Sequence, residues 1–189
     1  KEPAKKPDAE KSGTTGATES KSSSEAKPTK SETSTKAKWR LKALVQRVNR
    51  ASVEVDGKSI SEIGLGLLVF VGVFHNDTES DSEYLVSKII NLRIFPDRLG
   101  KFDRSILDIN GELLLVSQFT LCADTMKGRR PSFLKAAEPT KAHELFEYTF
   151  GLFSHTGLKV ETGEFQAHMQ VFLNNDGPVT IIIDSNQKD

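Results

Sequence analysis

Ser52-Val53-Glu54-Val55-Asp56-Gly57-Lys58-Ser59-Ile60-Ser61-Glu62-Ile63 is the stretch whose reading decides the fold class. Val53 and Val55 alternate with Ser52 and Glu54, the period of two that lines up apolar side chains on one face of a strand. Asp56-Gly57 supplies the residue pair that best tolerates the positive φ a type I′ turn needs at both central positions, so Lys58–Ile63 returns antiparallel. Upstream, Leu41, Ala43, Val45 and Arg47 alternate with Lys42, Leu44, Gln46 and Val48, a strand apolar on much of both faces. Downstream, Leu65–Val73 reads as a buried strand whose glycines permit bulges or close backbone approach. Asp77 and Thr78 can cap a helix in which Tyr84, Leu85, Lys88, Ile89 and Leu92 recur at helical spacing. After the turn Asn110-Gly111, Leu113–Leu121 is predicted as the next strand. A second helix starts near Pro139-Thr140, carries Ala142, Leu145, Phe146, Phe150 and Phe153 on its apolar stripe, and stops at Gly157. Leu158–Thr162, Met169–Leu173 and Val179–Asp184 read as three short strands. Two helices with about eight strands in mostly hairpin order predict an α+β domain, not a doubly wound sheet.

Composition splits the chain in two. Residues 1–38 hold nine Lys, six Asp/Glu and thirteen Ser/Thr but no Leu, Ile, Val, Met or aromatic residue. Such a segment has too little to bury to offset its ordering entropy, and is expected to be a disordered, weakly cationic tail. Residues 39–189 carry all fourteen aromatics, with 17 basic against 20 acidic residues, and are expected to form the folded domain. Its mildly acidic balance argues against a broad nucleic-acid glove, since phosphate binding needs clustered Lys and Arg. The longest apolar run, Leu65 to Phe74, is broken by Gly66 and Gly72 and falls well short of the roughly 20 residues of a membrane helix. A single cysteine, Cys122, excludes an internal disulfide framework, and the tail has neither a secretory apolar stretch nor the Arg-rich character of a transit peptide. A cytoplasmic protein is the expectation.

Most catalytic signatures are missing. There is no phosphate-binding loop, and Gly64-Leu65-Gly66 lacks the third glycine and following helix of a dinucleotide site. His75, His143, His155 and His168 show no metal-binding spacing, so neither metal nor cofactor is expected. Cys122 beside a buried strand reads as packing before it reads as a nucleophile. Two segments do not look like ordinary core. Ser117-Gln118-Phe119-Thr120-Leu121 places three hydrogen-bonding side chains at the end of an apolar run, where each would cost about 1–3 kcal/mol if buried unpaired. A substrate is one source of partners. Asn174-Asn175-Asp176-Gly177-Pro178-Val179-Thr180 is either a polar turn between strands or a rigid projection, because Gly before Pro joins the residue lacking a Cβ to the one tolerant of a cis bond.

Together, the SQFTL and NxGPxT motifs, in a chain whose first strand reads LVQRV, closely resemble the D-aminoacyl-tRNA deacylases (the D-tyrosyl-tRNA deacylase family). The resemblance runs through Leu41–Asp184, and includes Glu62-Ile63-Gly64, Arg93-Ile94-Phe95, Arg130-Pro131-Ser132-Phe133, Thr162-Gly163-Glu164-Phe165 and Met169-Gln170-Val171. The intact SQFTL favours the strictly D-specific enzymes over their L-tolerant sister group. The resemblance implies a homodimer of α+β subunits, each with two main helices and a mixed, mostly antiparallel, barrel-like sheet. It also implies hydrolysis of the ester between a D-amino acid, or glycine, and the terminal adenosine of tRNA.

Residue by residue, the resemblance makes Ser117, Gln118, Phe119 and Thr120 the catalytic segment. Gly177-Pro178, flanked by Asn175 and Thr180, becomes a cis turn that enters the partner subunit's pocket and rejects L side chains. Arg47 would hold that turn, the alternative being an edge-exposed arginine. Phe165 and Met169 would pack around the adenine, the alternative being plain core. Lys127, Arg129 and Arg130, the compact basic cluster of the folded part, are expected on phosphates of the acceptor end, the alternative being a solvated loop. No acid–base pair adjoins the first motif, so assistance by the tRNA's own 2′-hydroxyl is preferred to nucleophilic attack by Thr120. Two other functions stay open: a non-catalytic module that binds the tRNA 3′ end, and a small hydrolase using Ser117 or Cys122.

Overall fold

The computed structural model describes residues 40–187; the tail expected over 1–38 lies outside the described residues. The hairpin forms as its sequence demands. β1 (Lys42–Val55) and β2 (Lys58–Ile63) pair antiparallel, and the turn between them puts Asp56 at φ 51° and Gly57 at φ 73°. β1 does not stop at Val48, however. It runs on for 14 residues, because each half finds a further partner: β3 (Gly66–Gly72) pairs with Lys42–Val48, and β2 with Ala51–Val55.

The remaining elements are α1 (Glu79–Asn91), β4 (Phe95–Pro96), β5 (Phe102–Arg104), β6 (Glu112–Ser117), α2 (Pro139–Ser154), β7 (Val160–Thr162) and β8 (Met169–Asp184). β6 lies parallel to β3, and β7 parallel to β6, giving the order β2-β1-β3-β6-β7, while β8 runs antiparallel along β1. β4 and β5 form a separate two-stranded ribbon that the sequence reading leaves unassigned. Two expected elements differ. The strand predicted over Leu113–Leu121 ends at Ser117 and is followed by a 3₁₀ turn over Phe119–Cys122. The strands expected at Met169–Leu173 and Val179–Asp184 are the two ends of one strand, β8, which holds its pairing with β1 on both sides of the Gly-Pro segment.

Strand alternation divides the core in two. Leu67, Val69 and Val71 of β3 and Leu113 and Leu115 of β6 face α1 and α2, where Leu85, Ile89, Phe146 and Phe153 meet them. Leu68, Leu114 and Val116 point the other way and join Val48, Ala51, Val53 and Ile63 in a smaller core. The result is an α+β domain whose mixed sheet nearly closes on itself.

A buried carboxylate staples the sheet to α1. Asp77, only 1% exposed, accepts the backbone N–H of Leu41 through Oδ1 at 2.9 Å and that of Phe74 through Oδ2 at 2.6 Å. Four residues on, Asp81 Oδ2 accepts both the N–H and the hydroxyl of Thr78 at 2.9 Å and pairs with Arg40 Nη1 at 3.2 Å. Burial pushes the Asp77 carboxyl up to about 6; the two backbone donors oppose that and the Asp81 charge adds to it. A folded-state value above the unfolded one means the native state binds the extra proton, so stability falls as pH rises through that range. We therefore expect the stability advantage of wild type over Asp77→Asn to shrink by up to about 3 kcal/mol between pH 4 and pH 7. Urea unfolding of both proteins across that range checks this; parallel pH curves would refute it.

Candidate functional site

The first polar segment sits at the end of β6. Gln118 N–H still donates to Val71 O (2.8 Å), as a strand residue would, and then the chain coils into the 3₁₀ turn. The seat for that turn is Gly72. A Cβ there would lie 2.8 Å from Leu121 Cβ, 3.1 Å from Gln118 O and 3.2 Å from Cys122 Sγ, so only glycine lets the turn pack onto β3. Cys122 is thereby wholly buried, its Sγ 3.3 Å from Val73 O, and burial pushes its thiol up to about 12. A thiol so protonated and enclosed is no nucleophile, which removes the cysteine-hydrolase alternative.

Beside this turn opens a cavity of about 530 Å³. Its floor is Val116, Ser117, Gln118 and Phe119. One wall is Ala136, Ala137, Pro139 and Ala142, at the entry to α2; the other runs from Phe165 to Met169 and ends at Val171. Phe165 is held edge-on by His143 (centroids 4.7 Å apart) and tilted against Phe146 (6.1 Å). Met169 begins β8 and rests on the smaller core. Thr120 is exposed at the rim, and its Oγ1 accepts from Gln118 Nε2 at 2.5 Å. Sequence reasoning missed the wall residues Ala136, Ala137, Ala142, Gln166 and His168. Alanines carry no signal, but Gln166 sits at φ 64° without being glycine, an uncommon conformation that marks a shaped rim.

The second segment is built differently. Gln46 pairs with Thr180 and Val48 with Asn175, so Asp176–Val179 bulge out opposite Arg47 alone. Arg47 is not an exposed edge residue: it is 6% exposed. Its Nε donates to Asp176 O at 3.0 Å and lies 3.1 Å from Asp176 Oδ2, while Nη1 donates to Ile94 O at 2.6 Å. The guanidinium also lies 5.4 Å from the centre of the Phe102 ring. Asn175 closes the bulge from inside, its Oδ1 accepting Val179 N–H at 2.7 Å and its Nδ2 donating to Thr180 Oγ1 at 3.0 Å. The Gly177–Pro178 bond is cis, and Gly177 stands at φ 132°, where a Cβ would press on Val179 Cγ2 at 2.8 Å and Arg47 Nη2 at 3.1 Å. Gly177 and Pro178 are both exposed, and no residue from Asn174 to Thr180 lines the cavity of their own chain.

Lys127, Arg129 and Arg130 are exposed on the loop between the 3₁₀ turn and α2. Among the described residues no group of His, Cys, Asp and Glu is placed to hold a metal ion, and no helix is long and apolar enough to cross a membrane.

Comparison with known proteins gives a consistent result. The profile of the family described as D-Tyr-tRNA(Tyr) deacylase matches residues 44–184. The chain is 58% identical over 147 residues to a D-aminoacyl-tRNA deacylase of Aquifex aeolicus, and 56% identical over 148 residues to one of Thermosipho melanesiensis. Each alignment covers 78% of this chain and 99% of the relative. Among solved structures, one titled "c-Myc DNA Unwinding Element Binding Protein" superposes with a TM-score of 0.72 at 43% identity, covering 76% of this chain and 97% of that one. Another, titled as a probable eukaryotic D-amino acid tRNA deacylase, superposes at 0.69 with 15% identity over 76% of this chain and 98% of that one, a likeness of fold.

Proposed function

The chain belongs to the D-Tyr-tRNA(Tyr) deacylase family, and we propose on that footing that it hydrolyses the ester of D-aminoacyl-tRNA and of glycyl-tRNA, sparing the L esters. It is a hydrolase of the aminoacyl ester, in the service of translation quality control. The observation that carries the reading is the cavity itself: the polar end of an otherwise apolar strand, Ser117 and Gln118 followed by Phe119, lines a space of about 530 Å³ together with Phe165 and Met169. That volume is ordinary for a small-molecule site and suits a nucleoside with one amino acid attached. Phe119, Phe165 and Met169 enclose the adenine. The first N–H groups of a helical turn have no partner within it, so those of Phe119 and Thr120 are donors for the charge that develops on the ester oxygen.

Stereochemical choice belongs to the second segment. A second copy of the chain inserts its Gly177–Pro178 turn into this cavity, and the backbone of that turn takes the space an L side chain would need. Two features support this. The turn is exposed and remote from its own chain's cavity, yet held from below by Arg47, Asn175 and Thr180. β8, an edge strand in the described sheet, also exposes Phe172 and Ile182 on either side of the turn, apolar surface that a second copy would cover. Selection of this kind works by a clash against the wrong enantiomer, so it depends on rigidity. Residues 39–189 are the catalytic domain and 1–38 an appended tail, and a charged-tRNA substrate accords with the cytoplasmic location expected from the sequence.

The test is deacylation of D-tyrosyl-, glycyl- and L-tyrosyl-tRNA by purified protein without added metal. Loss of the first two esters with the third intact is the expected result. Loss of all three would remove the chiral filter, and hydrolysis of none would leave a module that only binds the tRNA 3′ end.

A further inference from the structure

Beyond Phe119 the wall of the cavity continues outward as apolar surface that no core consideration explains. Phe119 is 59% exposed, and its ring meets that of Phe133 edge to face, with centroids 5.1 Å apart at 63°. Phe133 is itself 36% exposed, and its neighbours on the same loop, Leu134 and Met126, are 92% and 77% exposed. The loop carrying them is firmly seated. Asp124 and Ser132 exchange backbone hydrogen bonds of 2.8 and 2.9 Å, Lys135 Nζ pairs with Asp124 Oδ2 at 2.6 Å, and Ala137 N–H donates to Val73 O at 2.9 Å. Between the paired residues the tip presents Lys127, Arg129 and Arg130 to solvent. The loop then returns to Ala136 and Ala137, which are cavity wall.

A fixed aromatic ledge bordered by cations and continuous with a nucleoside-sized cavity has the make-up of a single-stranded nucleic-acid track, where bases stack on rings and basic side chains follow the phosphates. Resting on the deacylase reading above, we infer that Phe133, with Phe119, forms a second nucleotide subsite: it takes by stacking the base immediately 5′ of the terminal adenosine, and Lys127, Arg129 and Arg130 hold the flanking phosphates. Stacking accepts any base, and phosphate contacts carry no sequence information, so the subsite serves every tRNA alike.

The probes are adenosine, the dinucleotide CpA, an analogue of CpA with the cytosine removed, and the trinucleotide CpCpA, each titrated against the full chain. CpA is expected to bind about 5- to 150-fold more tightly than adenosine, the gain of one stacked base. Phe133→Ala and loss of the cytosine should each remove the stacked base's share of that gain, leaving only what the phosphate adds, while adenosine binding stays unchanged; Phe133→Trp should retain it. For CpCpA, the double variant Arg129→Gln/Arg130→Gln should flatten the slope of log affinity against log salt by about 0.7 for each phosphate left without its cation. Adenosine binding with no gain for CpA, equal affinity for the base-free analogue, or equal weakening of both ligands by Phe133→Ala would overturn the subsite. Failure of adenosine to bind at all would overturn the cavity assignment on which the subsite rests.

Discussion

Thr120→Ala should retain deacylation within about tenfold, whereas a D-aminoacyl-tRNA whose terminal ribose lacks the 2′-hydroxyl should lose at least about 100-fold, the lower end of what a positioned acid–base group contributes. A threonine hydroxyl attacks an ester only when something takes its proton. Here Thr120 Oγ1 is the acceptor of a bond from Gln118 Nε2, and an amide NH₂ has no basic lone pair to offer. The nearby cysteine, Cys122, is buried, with its thiol pushed up to about 12. His168 lines the cavity, but the side-chain partner of Thr120 Oγ1 is Gln118. What the turn does offer is alignment: the Gln118–Thr120 bond stiffens it, and under the proposed function its leading N–H groups are the donors for the oxyanion. The proton-handling group then has to arrive with the substrate, and the vicinal 2′-hydroxyl adjoins the ester by its chemistry. Single-turnover rates with D-tyrosyl-tRNA ending in adenosine or 2′-deoxyadenosine measure both effects. Collapse of the Thr120→Ala rate with tRNA binding intact, or a full rate on the deoxy substrate, would reverse the assignment.

How far the sequence reveals this molecule depends on whether a signal is local. Asp56-Gly57 specifies its hairpin because positive φ at two adjacent residues is a property of those residues, and both adopt it. The two helices follow from periodicity and caps in the same way. The end of β6 is not legible in its own residues because its terminator is not in β6: Gly72, more than forty residues earlier, makes room for the 3₁₀ turn that Leu121 and Cys122 fill. β8 reads as two strands for a similar reason. Asp176–Val179 look locally like a turn, but the strand resumes in pairing because Arg47 of β1 spans the bulge from beneath. The β4–β5 ribbon, with elements of two and three residues, carries too short a pattern to register. The candidate site divides along the same line. Its polar and aromatic members, Ser117 to Thr120, Phe165 and Met169, stand out as anomalies in apolar surroundings, while its alanine wall is legible only once α2 is docked.

Arg47→Ala is expected to cost both stability and stereochemical fidelity, and the two losses separate what Arg47 holds together from what it holds in place. In the folded chain its guanidinium serves Ile94 O at 2.6 Å and Asp176 O at 3.0 Å from a buried position. Truncation leaves those acceptors unpaired, at about 1–3 kcal/mol each, and empties the space against which the Asp176–Val179 bulge rests. A drop of about 2–4 kcal/mol in unfolding free energy follows from the two acceptors and the lost packing. The functional consequence is more specific. Gly177, at φ 132°, has Arg47 Nη2 3.1 Å from where its Cβ would be, and Arg47 Nε donates to Asp176 O, so the guanidinium packs against the base of the proposed selective turn. Without that packing the turn can retreat, and a filter that works by steric clash weakens faster than the catalysis it guards. The ratio of D-tyrosyl- to L-tyrosyl-tRNA deacylation should fall at least tenfold, about 1.4 kcal/mol of lost discrimination, with the D rate falling less. Arg47→Lys keeps the charge but cannot span both carbonyls with a planar fork, so it should recover more of the stability than of the discrimination. An unchanged D-to-L ratio in a folded but destabilised Arg47→Ala protein would mean that Arg47 supports the domain alone, and would refute its part in the proposed selection.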